Sequence, residues 1–146
     1  MPLSPQEIDA KIQPRIRTMR TLWLAMVLSV VIYFIFTVFV GSSASATPNN
    51  TLSIILAVVG MMMVLVSIPI KQKVVARAVQ EQKVAMVQQG YITALALVEV
   101  SALLGMVDFF VTGNRFYFVP FLIAIIGQLI HFPRSQDVVA ASFKNL

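Results

Sequence analysis

The stretch Tyr91 to Val111, which reads YITALALVEVSALLGMVDFFV, decides the fold of this chain. Its only charged residues are Glu99, near the middle, and Asp108, close to the end. A helix needs about 20 predominantly apolar residues to cross the hydrocarbon core of a bilayer. Charged side chains within such a helix are costly and usually functional. The stretch therefore predicts a transmembrane helix with a candidate site at Glu99.

The amino-acid composition is that of an integral membrane protein. Of its 146 residues, 58% are hydrophobic and 12% are charged, far outside the range of soluble proteins. The absence of Cys excludes disulfides, thiolate metal sites and cysteine nucleophiles, and the single His131 has no histidine partner. We therefore expect no metal and no other cofactor. The sequence also lacks a nucleophile elbow, a phosphate loop and a zinc-protease helix, so we expect no enzymatic activity and no catalytic residues.

Four apolar stretches have the length of membrane spans. They cover residues 22–40, 52–70, 91–111 and 116–132. The first stretch could be mistaken for a signal peptide, but its apolar core is too long and its leader too extended. The sequence thus predicts a leader over 1–21, a four-helix transmembrane domain over 22–133 and a short tail over 134–146. The connecting segment 71–90 has no turn residue before Gly90 and is predicted to be helical.

The distribution of Lys and Arg predicts the orientation. Basic residues cluster in the leader, in segment 71–90 and in the tail, whereas Gly41 to Thr51 carries no charge and Thr112 to Arg115 carries one. By the positive-inside rule, the basic segments lie in the cytoplasm. The prediction is an all-α, polytopic membrane protein with four transmembrane helices and both termini cytoplasmic. Compactness and the missing cysteines suggest the bacterial inner membrane.

The basic residues also indicate a partner. They lie beside the hydrophobic spans and do not form one long basic face interleaved with aromatics, so we expect anionic lipid headgroups and no nucleic acid. In the leader, Ile8, Ile12 and Ile16 recur at fourfold spacing. This pattern predicts a short amphipathic helix that lies at the membrane interface before the first span.

Small residues surround Glu99. Ala96 and Ala102 lie three positions before and after it, and Gly105 continues the pattern, so another helix is expected to approach closely. We expect the carboxyl group to be protonated or hydrogen-bonded within the chain. Its candidate partners are Ser67, Thr93, Ser101 and Gln128. Three roles remain open: a neutral carboxyl that links helices, a proton-binding or ion-binding group, and a contact to a partner.

Two other ionisable residues have simpler interpretations. Asp108 lies within about a turn of the outer surface, and we expect it to form an ion pair with Arg115 across the intervening turn. His131, between Ile130 and Phe132, is either an amphipathic anchor at the cytoplasmic interface or a proton acceptor.

The stretch Ala94 to Val107, ALALVEVSALLGMV, resembles the carboxylate-bearing helix of the ring-forming proteolipid subunit of rotary ATP synthases. That helix reads like A-L-x-E-x-x-A-I-x-G-x-V. The positions that fit it are Ala96, Leu97, Glu99, Ala102, Leu103, Gly105 and Val107. The resemblance implies that Glu99 is a proton-binding carboxylate in a homo-oligomer.

Three functions follow in order of preference. The first is a small non-enzymatic accessory or structural subunit of a larger membrane complex, which needs no catalytic residues. The second is a proton- or ion-translocating homo-oligomer of proteolipid type that uses Glu99. The third is a small four-helix drug exporter; this class needs a weak charge bias and carries its carboxylate in the first span, whereas this chain has a strong bias and a carboxylate in the third.

Overall fold

The fold is built from α-helices. A computed structural model describes residues 5–40 and 49–142, with side chains from Ile12 onwards in the first range. The described residues form α1 (Pro5–Val40), α2 (Asn50–Glu81), α3 (Val84–Thr112), α4 (Phe118–Ile130) and α5 (Ser135–Ala140). They contain no strand, which confirms the all-α prediction for this part of the chain. Most of the uncharged segment 41–51, the side chain of Ile8 and Lys144 lie outside the described residues.

Three helices are long and apolar enough to cross a membrane: α1 from Ile12, α2 and α3. The fourth predicted span is shorter as a helix, because α4 has only 13 residues. At 1.5 Å per residue it is about 20 Å long, against a hydrocarbon core of about 30 Å. The chain is therefore a helical protein of membrane type with three long apolar helices and one short one.

α2 and α3 form a long antiparallel hairpin. Segment 71–90 belongs to the end of α2 and the beginning of α3, which are joined at Gln82 and Lys83. Gln82 has the left-handed conformation, with φ of 53°, and its backbone N–H reaches the carbonyls of Ala78 and Val79. We call the end of the bundle that contains this turn the hairpin end. The opposite end holds Asn49, whose side chain caps α2 by accepting from the backbone N–H of Leu52, and the turn between α3 and α4.

α1 is one continuous helix of 36 residues that passes through Pro14, without a break between leader and span. Ile12 and Ile16 of its first part are buried. They pack with Met19, Ala78, Val87, Tyr91, Val138 and Ala141 in a core at the hairpin end. The apolar face that the sequence assigned to the membrane interface therefore contacts protein.

α3 is the central helix, since it packs against each of the other four. A second core forms around its middle, from Val30, Val64, Val98, Ala102, Phe121 and Ala124. α4 approaches α3 closely because of two glycines. A Cβ atom on Gly127 would lie 2.8 Å from Cγ1 of Val98, and one on Gly105 would lie 3.0 Å from the ring of Phe121. Such small-residue contacts are typical of helix packing in membranes.

Candidate functional site

Glu99 lies where α1 meets α3, and it is partly exposed. Its Oε1 atom accepts a hydrogen bond from Ser29 Oγ at 2.6 Å and another from Tyr33 Oη at 3.1 Å. Ser29 and Tyr33 are four residues apart, so they lie on one face of α1, one turn from each other. α1 and α3 are therefore joined by polar contacts in the middle of their apolar stretches.

The hydroxyl of Ser29 has one proton and two acceptors within reach. The carbonyl oxygen of Met26 is 2.8 Å away, and Glu99 Oε1 is 2.6 Å away. When Glu99 is ionised, Ser29 donates to the carboxylate. When Glu99 carries a proton on Oε1, it can donate to Ser29, which then donates to Met26. The site accommodates either protonation state without moving a helix.

The second carboxyl oxygen, Oε2, has no hydrogen bond among the described residues. No cation pairs with it there either, since the ion pairs formed in ranges 12–40 and 49–142 join Arg77 and Lys83 to Glu81. In the described structure, hydrogen bonds thus reach only one of the two carboxyl oxygens of Glu99.

The hydrogen-bond partners expected for Glu99 were wrong. Ser101 donates to the carbonyl of Pro120, and Ser67 contacts His131. Thr93 is exposed, and the side chain of Gln128 is buried without a partner in the described structure. The actual donors come from α1, because it is α1 that lies alongside this part of α3.

The three small residues near Glu99 do not share one surface. Ala102 is fully buried and Gly105 contacts α4, whereas Ala96 is exposed. Residues three positions before and after Glu99 lie about 60° to either side of it on the helix. Glu99 therefore marks the boundary between the packed and the open side of α3.

Asp108 contrasts with Glu99 because it is completely buried and both of its oxygens are bonded. Ser53 Oγ of α2 donates to Oδ2 at 2.7 Å, and Thr112 Oγ1 lies 2.6 Å from Oδ1 and 2.8 Å from the backbone carbonyl oxygen of Asp108, so its one proton is placed to serve either acceptor. The predicted ion pair with Arg115 is absent from the described structure. α3 ends at Gly113, which has a φ of 58°, and Arg115 in the following turn lies over the ring of Phe116.

His131 is also buried, which sequence reasoning missed. Its Nε2 lies 2.7 Å from Ser67 Oγ, while Nδ1 has no partner within the described ranges. Gln128, one turn earlier, donates nothing through its side chain there, but its backbone carbonyl accepts from Trp23 Nε1 at 2.7 Å. The sequence offered one sign of this burial: Gln128 and His131 are three residues apart, a spacing that places both on the same side of the chain at the end of α4.

Comparison with known proteins adds no relative. The chain matches no family model, and no curated protein or solved structure matches it significantly. The resemblance of Ala94 to Val107 to the rotary proteolipid helix therefore stays a prediction. In the described residues, no group of three or more His, Asp or Glu side chains is placed to hold a metal ion.

We expect Ser53→Ala to destabilise the protein, because it leaves a buried oxygen of Asp108 without a donor. The expected loss is about 1–3 kcal/mol in the free energy of unfolding. It is measured by reversible unfolding in mixed detergent micelles, with Thr93→Ala, which removes an exposed hydroxyl, as the matched control. Equal losses from the two substitutions would contradict a structural role for the bond between Ser53 and Asp108.

Proposed function

We propose that this protein is a non-enzymatic membrane subunit that packs the open side of α3, around Glu99, against another membrane protein. The observation that carries the proposal is the carboxyl oxygen Oε2 of Glu99, which receives no hydrogen bond from the described residues although it lies in the middle of an apolar helix. A polar group in hydrocarbon costs several kcal/mol unless it is satisfied. A donor from a partner helix supplies that hydrogen bond.

Asp108 shows how this fold treats a carboxyl group that serves only its own packing. There, α2 and α3 provide a donor for each oxygen and remove the side chain from contact with the surroundings. Glu99 lacks both features. The difference between the two carboxyl groups favours an external role for Glu99.

The surface around Glu99 suits a partner helix. A stripe of side chains follows α3 at alternating spacings of three and four: Ile92, Ala96 and Leu103 are exposed, and Glu99 between them is partly exposed. This spacing is that of a helix–helix seam, and the small side chain of Ala96 permits close approach one turn from the carboxyl group. We therefore assign the stripe to a membrane-embedded helix that carries a hydrogen-bond donor.

A second function, proton binding within a homo-oligomer, is favoured by the dual hydrogen bonding of Ser29, which fits both protonation states of Glu99. It ranks second because proteolipid rings pack through a glycine-rich helix. The α2 segment 52–70 contains a single glycine, Gly60, and this glycine faces Ser101 of α3 within the same chain. The drug-exporter class ranks third, since its carboxylate lies in the first span.

The orientation belongs to the same proposal. We place the hairpin end in the cytoplasm, because this end carries most of the Lys and Arg residues. The chain then crosses the membrane four times, and both termini lie on the cytoplasmic side. α4 then crosses the bilayer together with the residues that flank it. The small size and the missing cysteines support a bacterial inner membrane as the location.

The subunit proposal is tested by the mass and composition of the particle extracted from native membranes in mild detergent. We expect other polypeptides at fixed stoichiometry. Glu99→Leu should lower their recovery by about 5- to 30-fold, the effect of about 1–2 kcal/mol for a lost hydrogen bond in a membrane. Glu99→Gln should retain the partner, because its NH2 group can donate to Ser29, which then donates to the carbonyl of Met26, while the remaining oxygen accepts from the partner. A particle that contains only this chain would contradict the proposal.

The proton-binding alternative is tested with a hydrophobic carbodiimide, which reacts with protonated carboxyl groups that are accessible from the apolar phase. If Glu99 exchanges protons, labelling should fall as the pH rises and should disappear in Glu99→Gln. Asp108 is the internal control, because it is buried and should stay unlabelled. Labelling that is absent at every pH would exclude this alternative.

The orientation is tested by labelling single cysteines, since the chain has none of its own. We expect Gln80→Cys, at the hairpin end, to react with a membrane-impermeant maleimide only after the cells are opened. Arg115→Cys, at the opposite end, should react in intact cells. The reverse pattern would show that the positive-inside prediction is wrong.

A further inference from the structure

A cleft of about 350 Å³ lies at the surface where α4 ends and α5 begins. It is lined by Arg20, Phe132, Pro133, Arg134, Ser135 and Gln136. Two guanidinium groups thus border the cleft from different elements, α1 and the link between α4 and α5. Ser135 and Gln136 add polar side chains, and Phe132 and Pro133 add apolar surface.

The two guanidinium groups at the cleft are not paired with a carboxylate of the described residues. Arg20 and Arg134 form no ion pair there, in contrast to Arg77 and Lys83, which both pair with Glu81. Arg20 is positioned by an aromatic ring, since its Cζ lies 5.7 Å from the ring centroid of Phe132. The site therefore offers two guanidinium groups to an anion, and guanidinium matches the geometry of phosphate.

Apolar surface continues directly from the cleft. Leu24, one turn after Arg20, and Leu129, one turn before Phe132, are each 59% exposed. A free phosphate ion has no apolar part that could contact this surface. A phospholipid whose phosphate lies between the arginines can place its acyl chains against it. Trp23 lies beside the cleft, since its ring contacts that of Phe132 edge to face with 5.1 Å between the ring centroids; tryptophan is enriched at membrane interfaces, where lipid headgroups lie.

We propose that this cleft binds the headgroup of an anionic phospholipid, with Arg20 and Arg134 on the phosphate and the acyl chains along Leu24 and Leu129. The site would fix one lipid at a defined place, beyond the general attraction of basic segments to anionic membranes. This inference is independent of the proposed function, because it requires no partner at Glu99.

The experiment uses Trp23, which is the only tryptophan of the chain, as the reporter. The full-length protein is reconstituted in vesicles that contain brominated phosphatidylglycerol or brominated phosphatidylcholine, and quenching of the Trp23 fluorescence gives the relative affinity. We expect a clear preference for phosphatidylglycerol. Each of Arg20→Gln and Arg134→Gln should lower that preference about fivefold, and the double variant about 25-fold, as for arginines at an anionic membrane surface.

Arg115→Gln is the matched control, because Arg115 also lies over a phenylalanine ring but at the opposite end, away from the cleft. It should leave the preference unchanged. Arg20→Lys and Arg134→Lys keep the positive charge but not the guanidinium geometry, and each should retain only part of the preference. The proposal fails if the double Gln variant quenches like the wild type, or if Arg115→Gln has an equal effect. Displacement of the brominated lipid by millimolar inorganic phosphate would also overturn it, in favour of a free anion.

Discussion

The two carboxyl groups inside the apolar helix α3 require hydrogen-bond donors, and this requirement fixes how α3 is joined to α1 and α2. α3 carries two carboxyl groups, and each of them is hydrogen-bonded to a different neighbouring helix. Asp108 joins α3 to α2 through Ser53, and Glu99 joins α3 to α1 through Ser29 and Tyr33. Apolar packing brings helices together in many registers with similar energy, whereas a hydrogen bond to a carboxyl group requires one register. The two carboxyl groups thus help to specify the bundle.

The helices themselves could be predicted from the sequence, because apolar length and the absence of turn residues are local properties. Tyr91 to Val111 lies within α3, and segment 71–90 is helical except at Gln82 and Lys83, where α2 is joined to α3 by a turn that the sequence analysis did not predict. The environment of the first part of α1 was harder to predict. Ile12 and Ile16 have the spacing of an interfacial helix, and periodicity does not distinguish burial against lipid from burial against Ala78 and Val138. Tertiary packing decided between the two.

The site was predictable in part for the same reason. Glu99 stands out because a charge in an apolar run is visible in the sequence alone. Its donors, Ser29 and Tyr33, precede it by some 70 positions and carry no local signal that links them to it. The ion pair of Asp108 with Arg115 looked favourable along the chain, but the left-handed Gly113 redirects the turn, and Ser53 is nearer in space.

α1 connects the two proposed interactions. Only 11% of the most apolar stretch of α1 is buried inside the bundle, against 39% for α3, so polar contacts have a larger share in positioning α1. These contacts lie on two levels: Arg20 and Trp23 meet the end of α4, and Ser29 and Tyr33 meet Glu99. A lipid bound between Arg20 and Arg134 would fasten α1 to α4 at one level, and the two hydroxyl donors fasten it to α3 at the other. When α1 is held at both levels, it lies beside the stripe around Glu99. The proposed lipid and the proposed partner would therefore both require the same position of α1.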